Sequence, residues 1–193
     1  MTNKKIATIG LLAVVMLLFT AGLASAQDEE LTDAESNQNK TMVILGCALA
    51  ISIAGVSSAI GLALAGSSAI AVTAEKPNLF GKCLVLQVLP MTQSVYGLLT
   101  AILLMMGAGL LGGGETVMIG SLAGMGAVWI GLAVGITGIS AINQGMVASS
   151  SISAVGRNPD VAARGIIFTV MPETIAIFGL LVGILLMTGL GLL

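Results

Sequence analysis

Residues 90–107 read PMTQSVYGLLTAILLMMG, and residues 172–189 read PETIAIFGLLVGILLMTG. At a constant offset of 82 residues, ten of these eighteen positions are identical: Pro90, Thr92, Gly97, Leu98, Leu99, Ile102, Leu103, Leu104, Met105 and Gly107 each fall on the same residue type. Pro77 falls on Pro159 at the same offset. A long period that recurs once marks a duplicated helical hairpin. Each copy holds two crossings, so both run across the membrane in the same order, and the repeat is parallel instead of inverted.

Composition decides the medium. The chain has 193 residues, 56% hydrophobic and only 8% charged, with a mean hydropathy of +1.08, whereas soluble domains carry about 25% charged residues. An all-α membrane protein is expected. Four apolar runs, roughly 41–72, 83–111, 116–155 and 165–192, each exceed the about 20 residues needed to cross a bilayer. As one helix the third would extend about 60 Å at about 1.5 Å per residue, so it is expected to tilt, break or project. Breaks between runs fall at 73–82, 112–115 and 156–164.

Residues 1–26 read as a secretory signal peptide: Lys4 and Lys5 begin it, 6–23 is apolar, and Ala24-Ser25-Ala26 is an A-x-A cleavage site. An uncleaved anchor helix is the alternative. Residues 27–40 then read as an extracytoplasmic acidic tether, with five acids and no base across 27–39. The first helical hairpin is expected over 41–111 and the second over 112–193. Lys76, Lys82, Arg157 and Arg164 lie in or beside the two hairpin loops, and the other side of the mature chain has only Lys40. The positive-inside rule puts the loops in the cytoplasm and both termini outside. Trp129 then falls near the outer end of the third helix. Cys47 and Cys83 fall near opposite ends of the first hairpin, farther apart than the about 4–7 Å between Cα atoms that a disulfide spans.

The first and third helices are rich in small residues, including Gly61 and Gly66 in one and Gly120, Gly124, Gly131 and Gly135 in the other. Small-xxx-small spacing lets backbones approach closely, which suits a crowded inner layer. The bulkier second and fourth helices suit a lipid-facing outer layer.

The decisive polar residue is Glu173, the only charge in 166–193. An acid at the centre of a membrane helix costs about 2.5–3.5 kcal/mol on insertion scales, and an ion or proton site is its default meaning. The two copies differ around it in a complementary way. Glu173 aligns with Met91 and Gln144 with Leu62, while Gln93 aligns with Ile175 and Tyr96 with Phe178. One composite site per chain is expected. Leu89, Thr92, Gln93 and Tyr96 share one helix face, and Pro90 removes a backbone donor and clashes with the preceding turn, which frees carbonyls near Leu89. Ser140, Gln144, Ala148 and Ser151 make a mildly polar strip on the third helix. A carboxylate, two amide oxygens, a hydroxyl and a carbonyl would form a hard-cation shell of the kind oxygen ligands provide, favouring Na⁺; a proton would need fewer. Interhelical hydrogen bonding is the plainer reading of the two glutamines.

The segments Leu89-Pro-Met-Thr-Gln-Ser-Val-Tyr96, Asn143-Gln-Gly145, Gly156-Arg-Asn-Pro159 and Met171-Pro-Glu-Thr174 resemble the K subunit, or proteolipid c-ring subunit, of V/A-type rotary ATPases. The resemblance covers about 41–193. It implies that Na⁺ is held by the Leu89 carbonyl, Thr92, Gln93, Gln144 and Glu173, with Tyr96 hydrogen-bonded to the carboxylate. It implies a homo-oligomeric ring, a stator subunit supplying an arginine, and central rotor stalk subunits that dock on the loops carrying Lys76, Lys82, Arg157 and Arg164. Met91 departs from single-hairpin relatives, which keep an acid there. No catalytic triad, Walker loop or zinc signature appears, and Gly107-Ala-Gly-Leu-Leu-Gly112 ends a membrane helix instead of linking strand to helix. The chain is therefore not expected to be an enzyme by itself. No cofactor and no nucleic-acid partner are expected, and the transported ion is Na⁺ or, alternatively, H⁺. A small secondary transporter or channel is a competing reading, but its broken helices come with inverted repeats.

Overall fold

The computed structural model describes residues 32–111 and 117–193. The signal segment expected at 1–26, the first part of the tether and the break expected at 112–115 lie outside the described residues. Within them the helices are α1 (Asp33–Glu75), α2 (Phe80–Val88), α3 (Thr92–Gly107), α4 (Ser121–Thr137), α5 (Ser140–Arg157), α6 (Ala162–Val170) and α7 (Glu173–Gly189), with short 3₁₀ turns at Pro77–Leu79, Leu89–Met91 and Pro159–Val161. They join into four spans long and apolar enough to cross a membrane: Asp33–Glu75, Pro77–Gly107, Ser121–Arg157 and Pro159–Gly189.

The duplication read from the sequence recurs in the fold of the second and fourth spans. The turn Pro77–Leu79 repeats as Pro159–Val161, α2 repeats as α6, and α3 and α7 end at Gly107 and Gly189, all at the offset of 82. Both copies close with a left-handed glycine, Gly109 (φ 66°) and Gly191 (φ 68°). The amide beyond each one reaches back to the helix: Leu110 N–H to Met105 O at 2.8 Å, and Leu192 N–H to Met187 O at 2.9 Å. This is the Schellman arrangement, in which glycine takes the left-handed position because it has no Cβ to clash.

The first span corrects the tether. Helix α1 begins at Asp33, inside the stretch 27–40 expected to be an acidic tether. Thr32 Oγ1 accepts from the Glu35 N–H, and the Glu35 carboxylate accepts from the Thr32 N–H at 2.9 Å, a complete capping box. Asp33 and Glu35 also lie in the first turn, where the positive end of the helix dipole favours acids. Two of the five acids that read as solvated tether, Asp33 and Glu35, thus lie in the helix's first turn. Further on, the Ile119 N–H donates to the buried Ser36 Oγ at 3.1 Å and Asn39 Nδ2 donates to Ile119 O at 2.8 Å. In this way α1 holds the stretch of chain that leads into α4.

Spans one and three form the inner pair. In their most apolar windows they are 39% and 44% buried, against 33% and 22% for spans two and four. Helix α1 packs on α3, α4 and α5. Its contacts with the third span are backbone on backbone: a Cβ on Gly145 would overlap the Gly61 main chain, and one on Gly131 would overlap Gly46. Large exposed side chains line the other pair, including Phe80 and Val95 in span two and Phe168, Phe178 and Leu185 in span four. This is the expected division of small inner and bulky outer helices.

The third span breaks, one of the three outcomes expected for it. At Gly138 and Ile139 the ladder shortens to three-residue steps, with Ile139 N–H to Ile136 O at 3.1 Å and Ala141 N–H to Gly138 O at 3.1 Å. Two separate apolar clusters fill the bundle. One holds Val43, Leu104, Ile119, Ile130 and Met187; the other holds Ala65, Leu79, Leu86, Ile152 and Val155. Cys47 belongs to the first and Cys83 to the second, and both are free thiols.

Candidate functional site

Between the two apolar clusters lies a polar layer. The spans that contribute to it are the three that break, and each break directly precedes or nearly precedes a polar residue. The turn Leu89–Met91 precedes Thr92 and Gln93, the Gly138–Ile139 break precedes Ser140 and Gln144, and the turn at Met171-Pro172 precedes Glu173. Helix α1 passes this level unbroken.

Local chemistry explains two of the breaks. Pro90 and Pro172 lack the N–H that would continue the helical ladder. The chain restarts as a new helix at Thr92 and at Glu173. Glu173 is therefore in the first turn of α7, where the helix dipole stabilises a carboxylate by about 0.3–1 kcal/mol. The restart also strands the Ser94 N–H, whose helical acceptor would be the carbonyl of Pro90. The buried Ser58 hydroxyl on α1 accepts it at 3.1 Å. Sequence reasoning missed this role: by its spacing Ser58 is only one more small residue on a small-residue helix, and nothing there marks it as the support of α3.

The site residues form one continuous hydrogen-bonded chain. Tyr96 Oη donates to Glu173 Oε1 at 2.7 Å, and Gln144 Nε2 donates to Glu173 Oε2 at 3.2 Å. Gln93 Nε2 donates to Gln144 Oε1 at 2.7 Å. The Thr92 hydroxyl lies 3.2 Å from Gln93 Oε1 and 3.0 Å from Leu89 O, so its single hydrogen serves one or the other. Gln93 and Gln144 are fully buried, while Glu173 and Tyr96 are half-buried. All six residues named from the sequence, Leu89, Thr92, Gln93, Tyr96, Gln144 and Glu173, meet here, on α3, α5, α7 and the turn before α3. Each copy supplies what the other lacks, since α3 brings the phenol and an amide and α7 brings the acid.

The carbonyls near Pro90 are less free than the sequence implies. The Leu89 carbonyl accepts the Thr92 N–H and lies within reach of its hydroxyl, because the 3₁₀ turn re-uses that carbonyl locally. Of the polar strip on the third span, Ser151 departs from the site: it bonds the buried Thr169 hydroxyl and Gly165 O, both at 3.4 Å, in the loop-side half.

The four basic residues sit at the hairpin-loop end, away from the acid. Lys76 Nζ donates to Gly156 O at 2.6 Å and Lys82 Nζ donates to Pro159 O at 3.0 Å, so the first loop's lysines tie it to the second loop. Arg157 and Arg164 are exposed. A cleft of about 230 Å³ between the two loop ends is lined by residues including Glu75, Lys76 and Arg157. Among the described residues no cluster of three or more His, Cys, Asp or Glu side chains could hold a metal; any cation here would rely on amide, hydroxyl and carbonyl oxygens around one acid.

Comparison with known proteins agrees with this architecture. The model of the family described as the C subunit of ATP synthase matches twice, over residues 45–104 and 128–186. The chain is 48% identical to the A-type ATP synthase subunit K of Methanocaldococcus jannaschii over 141 residues, covering 72% of this chain and 60% of that one. It therefore spans less than two thirds of that relative's length. It is 38% identical to the V-type sodium ATPase subunit K of Enterococcus hirae, covering 77% of this chain and 93% of that one. It is 29% identical to the V-type proton ATPase 16 kDa proteolipid of Nephrops norvegicus, covering 75% and 90%. A multi-pass, all-helical membrane chain in which both halves match the same model belongs to the family of ATP synthase C subunits, carrying the family's unit twice with one acid, Glu173, in the polar layer between them.

Proposed function

We propose that this chain is the ion-carrying rotor subunit of a V/A-type ATPase or ATP synthase, its copies forming a membrane ring that binds and releases Na⁺ at Glu173 as it turns. The observation that carries this reading is the placement of Glu173. Its carboxylate is gripped by donors from two other spans, yet it is half-buried beside the exposed Met171, Ile175 and Phe178. An acid buried only to fix packing would have no reason to lie at an apolar outer surface. The apolar clusters on either side of the polar layer leave the lateral face as the route for an ion. Loaded with a cation, the carboxylate is neutralised and passes along lipid at low cost. Unloaded, it is charged, and an arginine of a stator subunit would favour that state through opposite charge.

Sodium is favoured by the oxygen set. The Glu173 carboxylate, the Gln93 and Gln144 amide oxygens, the Thr92 hydroxyl and the Leu89 carbonyl are linked through successive hydrogen bonds. A cation beside the carboxylate needs the amides to present oxygen to it. The relative from Enterococcus hirae is named a sodium ATPase subunit. A proton is the second reading, supported by Tyr96 and Gln144 already serving both carboxylate oxygens and by relatives named for protons. The basic loops, with Lys76, Lys82, Arg157 and Arg164, are assigned to the cytoplasm by the positive-inside rule and to docking of the central stalk; both termini then lie outside.

Labelling of Glu173 by dicyclohexylcarbodiimide tests the ion. Slower labelling in Na⁺ is the expected result; no protection at any pH would leave the proton reading in place. Glu173→Gln tests the whole proposal, because transport at the native rate in that variant would overturn it.

A further inference from the structure

The polar layer is built from the three broken spans, yet a residue on the unbroken one bonds to it. Ser58 is only 2% exposed, and its hydroxyl accepts the Ser94 N–H at 3.1 Å. Ser94 is the third residue of α3. At a helix start that amide is ordinarily served by a side-chain oxygen of the residue just before the helix. Here that residue is Met91, which has no such oxygen and makes no capping bond. Ser58 supplies the cap from a neighbouring helix.

Packing holds Ser58 in this place. A Cβ on Gly97 would overlap the Ala50 carbonyl, and one on Gly61 would come within 2.8 Å of the Pro90 ring. Ser58 lies between Ala50 and Gly61 on α1, and Ser94 lies between Pro90 and Gly97 on the second span. Toward the third span α1 is equally close, since a Cβ on Gly145 would overlap the Gly61 main chain. Gly145 directly follows Gln144, and Gln93 directly precedes Ser94. The contacts therefore form a closed frame. One side is the bond from Gln93 Nε2 to Gln144 Oε1 at 2.7 Å. The other runs from Ser94 through Ser58 and Gly61 to Gly145, and it sets the separation at which the two fully buried amides meet.

The second copy repeats the residues without repeating the bond. At the offset of 82, Ser58-Ala59-Ile60 falls on the identical Ser140-Ala141-Ile142, and Ser94 falls on Ala176. Ser140 is buried as well, but its hydroxyl has no hydrogen-bond partner among the described residues. The hydroxyl is used in the copy that supplies Thr92, Gln93 and Tyr96, and idle in the copy that supplies the acid.

We infer that Ser58 is a positioning residue of the ion layer: by capping α3 from α1 it holds Thr92 and Gln93 at the separation from Gln144 and Glu173 at which the ion is bound. The inference rests on the ion-carrying function proposed above, whereas the cap itself does not depend on which ion is carried.

Paired variants at the two equivalent serines of the intact ring test it. Ser58→Ala should raise the Na⁺ concentration that half-protects Glu173 from carbodiimide about threefold to tenfold, the weight of one hydrogen bond, and should speed amide hydrogen exchange across 92–95. Ser140→Ala removes the same atom from a hydroxyl that makes no bond, and should change neither. Ser58→Cys, close to serine in size and a weak acceptor, should fall between the native ring and Ser58→Ala, and it carries the test if Ser58→Ala does not assemble. Native protection in Ser58→Ala, or equal weakening at both serines, overturns the positioning role. If the native ring shows no Na⁺ protection at all, the sodium reading fails instead and exchange alone decides the cap: faster exchange across 92–95 in Ser58→Ala but not in Ser140→Ala supports it, and unchanged exchange overturns it.

Discussion

Tyr96 donates its phenol hydrogen to Glu173 at 2.7 Å, and these two residues come from opposite copies of the duplicated hairpin. At the equivalent positions the copies carry Phe178 in place of Tyr96 and Met91 in place of Glu173. Where the copies differ, each carries polar residues the other lacks, and the two sets meet at the interface between copies. The hydrogen bond joins α3 and α7 in a polar cluster that neither hairpin forms alone.

Tyr96→Phe isolates that bond, because the ring is retained and only the hydroxyl is lost. A hydrogen bond to a charged group contributes about 1.5–3 kcal/mol, and Tyr96 is half-buried, so the lower end applies. Faster carbodiimide labelling of Glu173 and Na⁺ protection weakened about tenfold are expected, with the ring intact on a gel. Protection equal to the native ring's would mean that the bond is not part of the loaded site.

The two glutamines should behave differently from the tyrosine. Both are fully buried and bonded to each other at 2.7 Å, so changing one leaves the other's amide unserved. Gln144→Leu or Gln93→Leu should lower Na⁺ affinity by at least the about 1–3 kcal/mol that a stranded buried group costs, while assembly persists on apolar packing. Titration of Na⁺ protection in each variant checks this. Loss of assembly with normal affinity in the surviving rings would instead make the pair interhelical glue.

The glycine contacts predict a contrast within one helix layer. A Cβ on Gly145 would overlap the Gly61 backbone, whereas one on Gly55 meets nothing within 4 Å. Gly145→Ala should push α5 off α1 and destabilise the protein by about 1–3 kcal/mol, the usual cost of overpacking. Gly55→Ala should be neutral or stabilising by up to about 1 kcal/mol, since alanine is the better helix former. Thermal melting of the detergent-solubilised protein, read by circular dichroism, distinguishes them.

The clamp at the far end from the loops offers a control remote from Glu173. Ser36 and Asn39 serve both main-chain groups of Ile119. Asn39→Ala should lower stability by about 1–3 kcal/mol, through the Ile119 carbonyl it leaves unserved, and leave Na⁺ protection of Glu173 unchanged. A changed ion affinity would show that the linker between hairpins communicates with the polar layer.

How much is legible in the residues differs from feature to feature. The spans, their duplication and the layer to which each belongs follow from hydropathy, the offset of 82 and the placement of small residues, because membrane helices satisfy their own backbone and so obey local rules. The six residues of the polar layer are also legible, because an acid in lipid is costly enough to mark itself and a proline enough to mark a break. The helical start at Asp33 is not: the same acids suit a solvated tether and a helix N-terminus, and only the capping box with Thr32 and the clamp on Ile119 separate the two.

What the chain determines by itself is therefore the set of helices and the identity of the polar groups, since both depend on local backbone chemistry and on the cost of charge in hydrocarbon. Only the tertiary structure decides how those groups are joined. The order Thr92, Gln93, Gln144, Glu173, Tyr96, the rescue of the Ser94 amide by Ser58, the third span's break at Gly138 and Ile139, and the unserved hydroxyl of Ser140 all depend on which helix faces lie against one another. That is settled by how closely the glycine surfaces of α1 and α5 approach, a distance no local pattern encodes.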